Sequence, residues 1–278
     1  MIRAAPSPVT SLRNAKVQRA PMLIEKRQQF ILDRIARDGA AAISALARSL
    51  GVSRETVRRD LNALAERQLL TKTHGGALAN AAAEPTLTAR IDVNAAGKRR
   101  IAQAAAKLVA DGASLIVDCG STTQALALAL SAQRRLTVYT NDLRVAATLA
   151  RRNGNVVHLL GGQLLEHEDA TSGWETVAQI AQYRVDIAFI GVSAIDDDGT
   201  LTDYQRAGAE LRSRMIGASR MPVLLADRTK FGQAKPVAVA NLDRVKRLIT
   251  DATPPAAVRR RLEALGLTVQ VARGDRRG

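Results

Sequence analysis

The stretch Val52-Ser53-Arg54-Glu55-Thr56-Val57-Arg58-Arg59-Asp60-Leu61-Asn62-Ala63-Leu64 constrains this chain more than any other. Val57, Leu61 and Leu64 stand at i, i+4 and i+7, so they share one side of a helix and face a core. Glu55, Arg59, Asn62 and Glu66 point the other way, flanked by Arg58 and Thr56. Ser53 is a good N-cap, and the free N–H groups behind it suit a phosphate. A short helix that offers Arg, Thr and Asn opposite an apolar stripe has the chemistry of a major-groove reader.

The flanking sequence completes a motif. Ile24 to Arg37 carries Phe30, Ile31 and Ile35 at helical spacing, and Gly39 interrupts it. Ile43, Leu46 and Leu50 repeat the pattern, and Gly51 stops it. Helix, glycine turn and helix make a helix-turn-helix. Leu69 to Ala77 places apolar residues around Gly75-Gly76, which predicts a small hairpin, or wing, with Lys72 and His74 near its tip. An ordinary three-helix domain would carry solvated arginines too; the cap, turn, wing and charge together favour DNA. The DNA contacts expected are Ser53, Arg54, Thr56, Arg58, Arg59, Asn62, Lys72 and His74.

Charge supports this. The formal net charge is +15 over 278 residues; residues 1–80 hold 14 Lys+Arg against 6 Asp+Glu, a net of +8. The other 198 residues supply the remaining +7, so charge is densest where the motif lies. One cysteine, Cys119, excludes an intramolecular disulfide and a cysteine-cluster metal site. No apolar run is long enough for a membrane span, and the first 21 residues lack a secretory signal, so a cytoplasmic protein is expected. Residues 1–21 read as a disordered basic extension, with translation beginning at Met22. Residues 22–77 are the winged domain, 78–97 an Ala-rich linker, and 98–278 a second domain.

From Lys98 helices alternate with short apolar strands. Strands are expected at Leu115–Asp118, Leu136–Tyr139, Val156–Leu160, Ile187–Ile190, Val223–Ala226, Leu248–Thr250 and Leu267–Val271. Helices are expected at Ile101–Val109, Thr122–Leu130, Leu143–Ala150, Glu175–Ala181, Ala207–Ser219 and Ala256–Leu265. Such near-continuous apolar strands imply an α/β domain with a mostly parallel sheet covered on both faces. Ligands of such sheets sit beyond the strands' carboxyl ends. Those ends carry Asp118-Cys119-Gly120-Ser121-Thr122-Thr123, Thr140-Asn141-Asp142, Gly161-Gly162, Gly191-Val192-Ser193 and Asp227-Arg228-Thr229-Lys230-Phe231-Gly232. Ser121, Thr123, Asn141 and Asp227 each suit a helix cap as well. Their coincidence at successive strand ends points to a pocket for a small anionic ligand, without a Walker or dinucleotide motif. No cofactor is implied.

The order Val52-Ser53-(x)2-Thr56-Val57-Arg58-Arg59-Asp60-Leu61, His74-Gly75-Gly76-Ala77, Asp118-x-Gly120-Ser121-Thr122-Thr123, Thr140-Asn141-Asp142, Leu160-Gly161-Gly162, Phe189-Ile190-Gly191 and Asp227-x-x-Lys230-Phe231-Gly232 resembles the DeoR family of bacterial transcriptional regulators. The resemblance runs in one collinear order over roughly residues 22–251. It implies a winged helix-turn-helix followed by an effector domain similar to ribose-5-phosphate isomerase and the coenzyme A transferases. It also implies a repressor of a sugar or carbon catabolic operon, released from double-stranded operator DNA by a phosphorylated sugar. Gly120, Ser121, Thr122 and Thr123 would then hold the phosphate. Thr140, Asn141, Gly161 and Gly162 would line the sugar, with Lys230 as cationic contact. Paired half-sites imply a homodimer or homotetramer. Cys119 stands where the family often has Ser or Ala, so thiol reagents are expected to reach the pocket; Trp174 reads as a packing residue. The competing class is a sugar-phosphate isomerase-like enzyme carrying a DNA-binding domain. It would use Asp197, Asp198 or Lys230 for proton transfer, although Asp196-Asp197-Asp198-Gly199 reads more simply as an acidic turn.

Overall fold

The computed structural model describes residues 23–67, 69–79, 84–165 and 168–273. The basic extension and its start at Met22 lie outside the described residues. Three helices open the fold: α1 (Ile24–Asp38), α2 (Ile43–Leu50) and α3 (Arg54–Glu66). Their shared core is Ile31, Ile35, Leu46, Val57, Leu61 and Leu64, all nearly or wholly buried. Phe30 is exposed, because it stands one residue, about 100° of helix, from Ile31. Ser53 Oγ accepts the Thr56 N–H at 3.0 Å and caps α3 as expected.

The wing has one strand more than the sequence suggests. β1 (Ala40–Ala42) pairs with β3 (Gly76–Ala79), which also pairs with β2 (Leu70–Thr73), all antiparallel. Three alanines carry no strand pattern of their own, so pairing with β3 decides their conformation. Gly76 permits that approach: a Cβ there would stand 2.2 Å from the Ala41 carbonyl oxygen.

The stretch read as a linker, with some helix in it, holds regular elements at both ends. β3 claims its first two residues, and α4 (Leu87–Asp92) and α5 (Ala95–Ala106) follow. Gly97 lies inside α5, where a Cβ would meet the side chains of Asn94 and Asp251 at about 2.5 Å. Thr86 caps α4 and donates to Asp33 Oδ1 of α1 at 2.6 Å, which ties the segment to the winged domain.

Beyond α5 lie β4 (Ser114–Val117), α6 (Ser121–Ala129), β5 (Thr137–Thr140), α7 (Leu143–Leu149) and β6 (Val156–Leu159). Then come β7 (Gln163–Leu164), β8 (Thr171–Ser172), α8 (Trp174–Ile180), β9 (Val185–Gly191), β10 (Ala194–Ile195) and β11 (Leu201–Asp203). α9 (Arg206–Gly217), β12 (Ser219–Leu225), β13 (Val237–Ala238), β14 (Arg247–Thr250), α10 (Ala256–Ala264) and β15 (Thr268–Val271) complete the chain. The main sheet has the order β15-β14-β12-β9-β4-β5-β6, and its pairs are all parallel. Helices α5, α6 and α7 cover one face against Val117, Phe189 and Leu225. Helices α8, α9 and α10 cover the other against Ile116, Ile190 and Leu224. The alternation within each strand thus separates two cores.

Strand order reverses between β4 and β9, and a switch point of this kind opens a crevice at the strand ends. Two small antiparallel sheets, β7-β8 and β10-β11-β13, have no counterpart in the sequence reading. Their two- and three-residue strands are too short to show a period, and residues of β8 and β11 help wall the crevice. Trp174 is not packed: it is 76% exposed at the start of α8.

Candidate functional site

Two regions gather the polar residues. The first is the outer face of α3. Arg54, Arg58, Arg59 and Asn62 are exposed there, while Val57, Leu61 and Leu64 on the inner face are wholly buried. Arg58 Nη1 lies 3.4 Å from Glu55 Oε2 and Arg59 Nε 4.0 Å from Glu55 Oε1. These pairs are loose and solvated, so both guanidinium groups are available to DNA at small cost. Ser53 and Thr56 bond each other through their hydroxyls at 2.9 Å and serve the cap. Lys72 Nζ, on the wing, donates to Asn62 Oδ1, which holds wing and helix in one register. His74 is exposed at the turn of the hairpin.

One residue of this region escaped the sequence reading. Asp60 is 3% exposed, and its carboxylate accepts two hydrogen bonds from Arg27 of α1. Its signal was available: an acid flanked by Val57 and Leu61 on the inward side of the helix requires a partner.

The second region is the switch-point crevice, a cavity of about 300 Å³. Its floor is a buried ionic triad. Arg212 of α9 donates through Nε to Asp118 Oδ2 at 2.9 Å and through Nη1 to Asp203 Oδ2. Asp118 also accepts the Cys119 N–H at 2.8 Å and the Gly191 N–H at 3.1 Å, which fastens β4 to β9. Burial pushes the Asp118 carboxyl up from its usual range, and Arg212 draws it back. Asn141 is 1% exposed; its Nδ2 donates to the Thr171 carbonyl at 2.9 Å, while its Oδ1 is buried without a partner. A buried unpaired acceptor on a cavity wall marks a place for a ligand donor such as a hydroxyl. Tyr204 is pushed up to about 12, chiefly by burial, so its phenol stays neutral.

The expected phosphate loop is partly committed to itself. Thr123 Oγ1 donates to the Gly120 carbonyl at 2.8 Å, and Asp142 Oδ2 accepts the Gly120 N–H at 3.3 Å. Thr140 Oγ1 accepts the Asp142 N–H at 3.1 Å. Asp142 Oδ1 meanwhile caps α7 through the N–H groups of Arg144 and Val145. Ser121 and Thr122 keep the first-turn N–H groups of α6, which have no acceptor within the helix. Gly120, Ser121, Thr122, Thr123, Thr140, Gly161 and Gly162 are not on the cavity wall: the Gly161 N–H bonds Gln179 Oε1 at 3.0 Å, and its carbonyl accepts Thr176 Oγ1 at 2.7 Å. Of the four residues with a capping alternative, Asp227 takes it, accepting the Thr229 N–H at 2.9 Å. Lys230 lines an adjoining cavity of about 210 Å³, which shares Glu84 and Tyr204 with the first. Cys119 lines the main cavity, but burial and Asp118 push its thiol well up.

Asp197 and Asp198 are exposed and form the tight turn at 196–200, with Asp198 Oδ1 accepting the Thr200 N–H at 2.8 Å. Neither lines either cavity. Among the described residues, no group of His, Cys, Asp and Glu is arranged to hold a metal ion, and no helix is long and apolar enough to cross a membrane.

Two family profiles match the chain. A profile described as the DeoR-like helix-turn-helix domain matches residues 27–83, and one described as the DeoR C-terminal sensor domain matches residues 93–252. The chain is 37% identical over 233 residues to the glycerol-3-phosphate regulon repressor of Haemophilus influenzae, covering 84% of this chain and 91% of that protein. It is 34% identical over 238 residues to the HTH-type transcriptional repressor CsqR of Escherichia coli, covering 85% and 91%. Among solved structures, ribose 5-phosphate isomerase A from Methanocaldococcus jannaschii is 20% identical with a TM-score of 0.36, covering 50% of this chain and 55% of that one.

Proposed function

The chain belongs to the DeoR family, and from that premise we propose that it represses a sugar or carbon catabolic operon and releases its operator when a phosphorylated sugar binds. The carrying observation is that α4, between a basic, capped α3 and a switch-point cavity, touches both domains. Thr86 bonds α1 at one end of that helix and Arg90 bonds Glu168 at the cavity. α3 lies in the major groove of double-stranded DNA, with Arg58 and Arg59 toward phosphates or a guanine edge and Lys72 and His74 toward the backbone. Two half-sites are engaged by a homodimer or homotetramer, and the protein works in the cytoplasm, where its DNA and effector are. The sugar hydroxyls face Asn141, Asp118 and Gln205, which line the cavity; Ser121 and Thr122, which do not line it, open α6 in the turn after Cys119 of its wall. We read the chain as non-enzymatic, since Asp197 and Asp198, the acids suggested for proton transfer, belong to a surface turn.

A thermal-shift panel of sugar phosphates, each beside its unphosphorylated sugar, tests this reading. A ligand at 100 times its dissociation constant adds about 2.7 kcal/mol to stability. The expected result is one phosphorylated compound that stabilises the protein, lacks effect without its phosphate, and weakens binding to promoter DNA. A panel without such a compound rejects the sugar-phosphate sensor and leaves the DNA-binding reading standing.

A further inference from the structure

β6 forms one edge of the main sheet. The N–H groups of Val156 and Leu160 go to the carbonyls of Leu136 and Thr140, both at 2.8 Å. Backbone groups alternate in direction along a strand, so Val157 and Leu159 point theirs away from β5. Val156 is 54% exposed and Leu159 45%, so the described residues leave this edge open. Leu164 of the β7-β8 hairpin is 58% exposed, and Trp174 is the most exposed large apolar residue among those described. Both lie at the C-terminal end of β6: the Gly161 N–H bonds Gln179 of α8, and a Cβ at Gly162 would meet Ser172 of β8. The opposite edge, β15, exposes no large apolar side chain. An apolar patch beside an open strand edge marks an interface with another protein.

Charge decides which partner fits. Arg134, Arg135, Arg151 and Arg152 are exposed in two turns at the N-terminal end of β5 and β6. The Arg135 N–H holds the turns together by donating to the Asn153 carbonyl at 2.9 Å. Among the described residues, no carboxylate pairs with any of the four. Glu175, beside Trp174, is exposed at the other end of the edge and has no cation paired with it there. An edge that is basic at one end and carries a free acid at the other complements itself when reversed. Two-fold symmetry performs that reversal, because it sets the same patch of two copies antiparallel.

We propose that β6, the β7-β8 hairpin and Trp174 form the face on which a second copy of this chain docks. The two β6 strands run antiparallel, Arg151 and Arg152 of each copy face the partner's Glu175, and Trp174 is buried between them. Trp and Arg are the side chains that most often anchor interfaces. The proposal rests on the homodimer or homotetramer reading and assigns the surface that joins its copies. It also sets the interface beside the effector cavity, since Thr171 and Ser172 of β8 line that cavity. A ligand there touches an element that the partner touches too, and so favours one dimer geometry over another.

Light scattering on the full chain, read beside the emission of its single tryptophan, tests this. Wild type should associate. Arg151→Glu/Arg152→Glu and Glu175→Arg should each weaken association by about 10-fold or more, through like charges brought together. All three substitutions combined should restore it, a gain that misfolding cannot produce. Arg259→Glu/Arg260→Glu, exposed on α10, should leave association unchanged at the same net charge. Trp174 emission in wild type should lie to the blue of that in the dissociated variants, because docking removes the ring from water. A chain that is monomeric at every concentration rejects the homodimer and this face together. A dimer unmoved by the swaps, or one whose Trp174 emission matches that of a monomeric variant, keeps the homodimer and rejects the face. Association that the combined swap fails to restore overturns the antiparallel arrangement.

Discussion

Arg27 donates to the Asp60 carboxylate through two nitrogens, Nε to Oδ2 at 2.5 Å and Nη2 to Oδ1 at 3.0 Å. This fork joins α1 to the DNA-facing helix α3 from its buried side. Asp60→Ala should cost about 1–3 kcal/mol, because it removes a nearly buried carboxylate with the two hydrogen bonds it accepts from Arg27. It should also weaken DNA binding without touching an exposed residue. Urea unfolding of the full chain measures the first effect; an unchanged midpoint would show that the fork contributes little.

Arg59 on α3 has a side chain 81% accessible, with Glu55 4.0 Å away. Arg59→Ala should therefore leave stability nearly unchanged and weaken operator binding by about 1–3 kcal/mol if it reads a base. Fluorescence anisotropy with promoter DNA reports this directly. Wild-type affinity would remove Arg59 from the interface.

Arg212 compensates two buried carboxylates at once, Asp118 and Asp203. Arg212→Met should destabilise the effector domain by about 3–5 kcal/mol, since both acids lose their counter-ion. Part of that loss should return at low pH, where a stranded carboxylate takes up a proton. Calorimetry at acid and neutral pH separates this from a simple packing defect, which would show no such recovery.

Glu168 is raised from 4.5 to about 7, first by burial and then by Glu84, against the pull of Arg90 and Arg212. Between those two values the folded chain holds a proton that the unfolded chain has released. Stability from this group is thus complete below about 4.5 and is lost as pH rises through about 7. Glu168→Gln should flatten the fall in melting temperature over that window. An identical slope in wild type and variant would assign it to another group.

Gly162 adopts φ +143°, and a Cβ there would stand 2.2 Å from Thr176 Oγ1 and 2.6 Å from the Ser172 carbonyl oxygen. Gly162→Ala should cost about 1–3 kcal/mol of strain, and the backbone oxygen leaves little room for relief. A thermal melt equal to wild type would show that the loop can move aside.

Local pattern explains what the sequence alone determined. The helical stripe Val57-Leu61-Leu64, the cap at Ser53 and the apolar strands are short-range signals, each carried by residues within a turn or two of one another. So is the clustering of polar residues after parallel strands, which placed Asn141 and Cys119 on a cavity wall. Tertiary structure decided the rest, because the partners are far apart in the chain. Asp118 and Arg212 are 94 residues apart, and Arg90 and Glu168 are 78. No local period marks either pair, and a charged residue in a helix reads as a solvated one until its neighbours are known. The three alanines of β1 became a strand because Gly76 lets them approach β3. A stretch that reads as a linker became a cavity wall because Thr86 and Arg90 found partners on both sides of it. Sequence thus determined the longer helices and the strands of the main sheet, and which face each buries. The buried charge pairs, and with them the site between the domains, depended on long-range contacts that only the folded chain brings together.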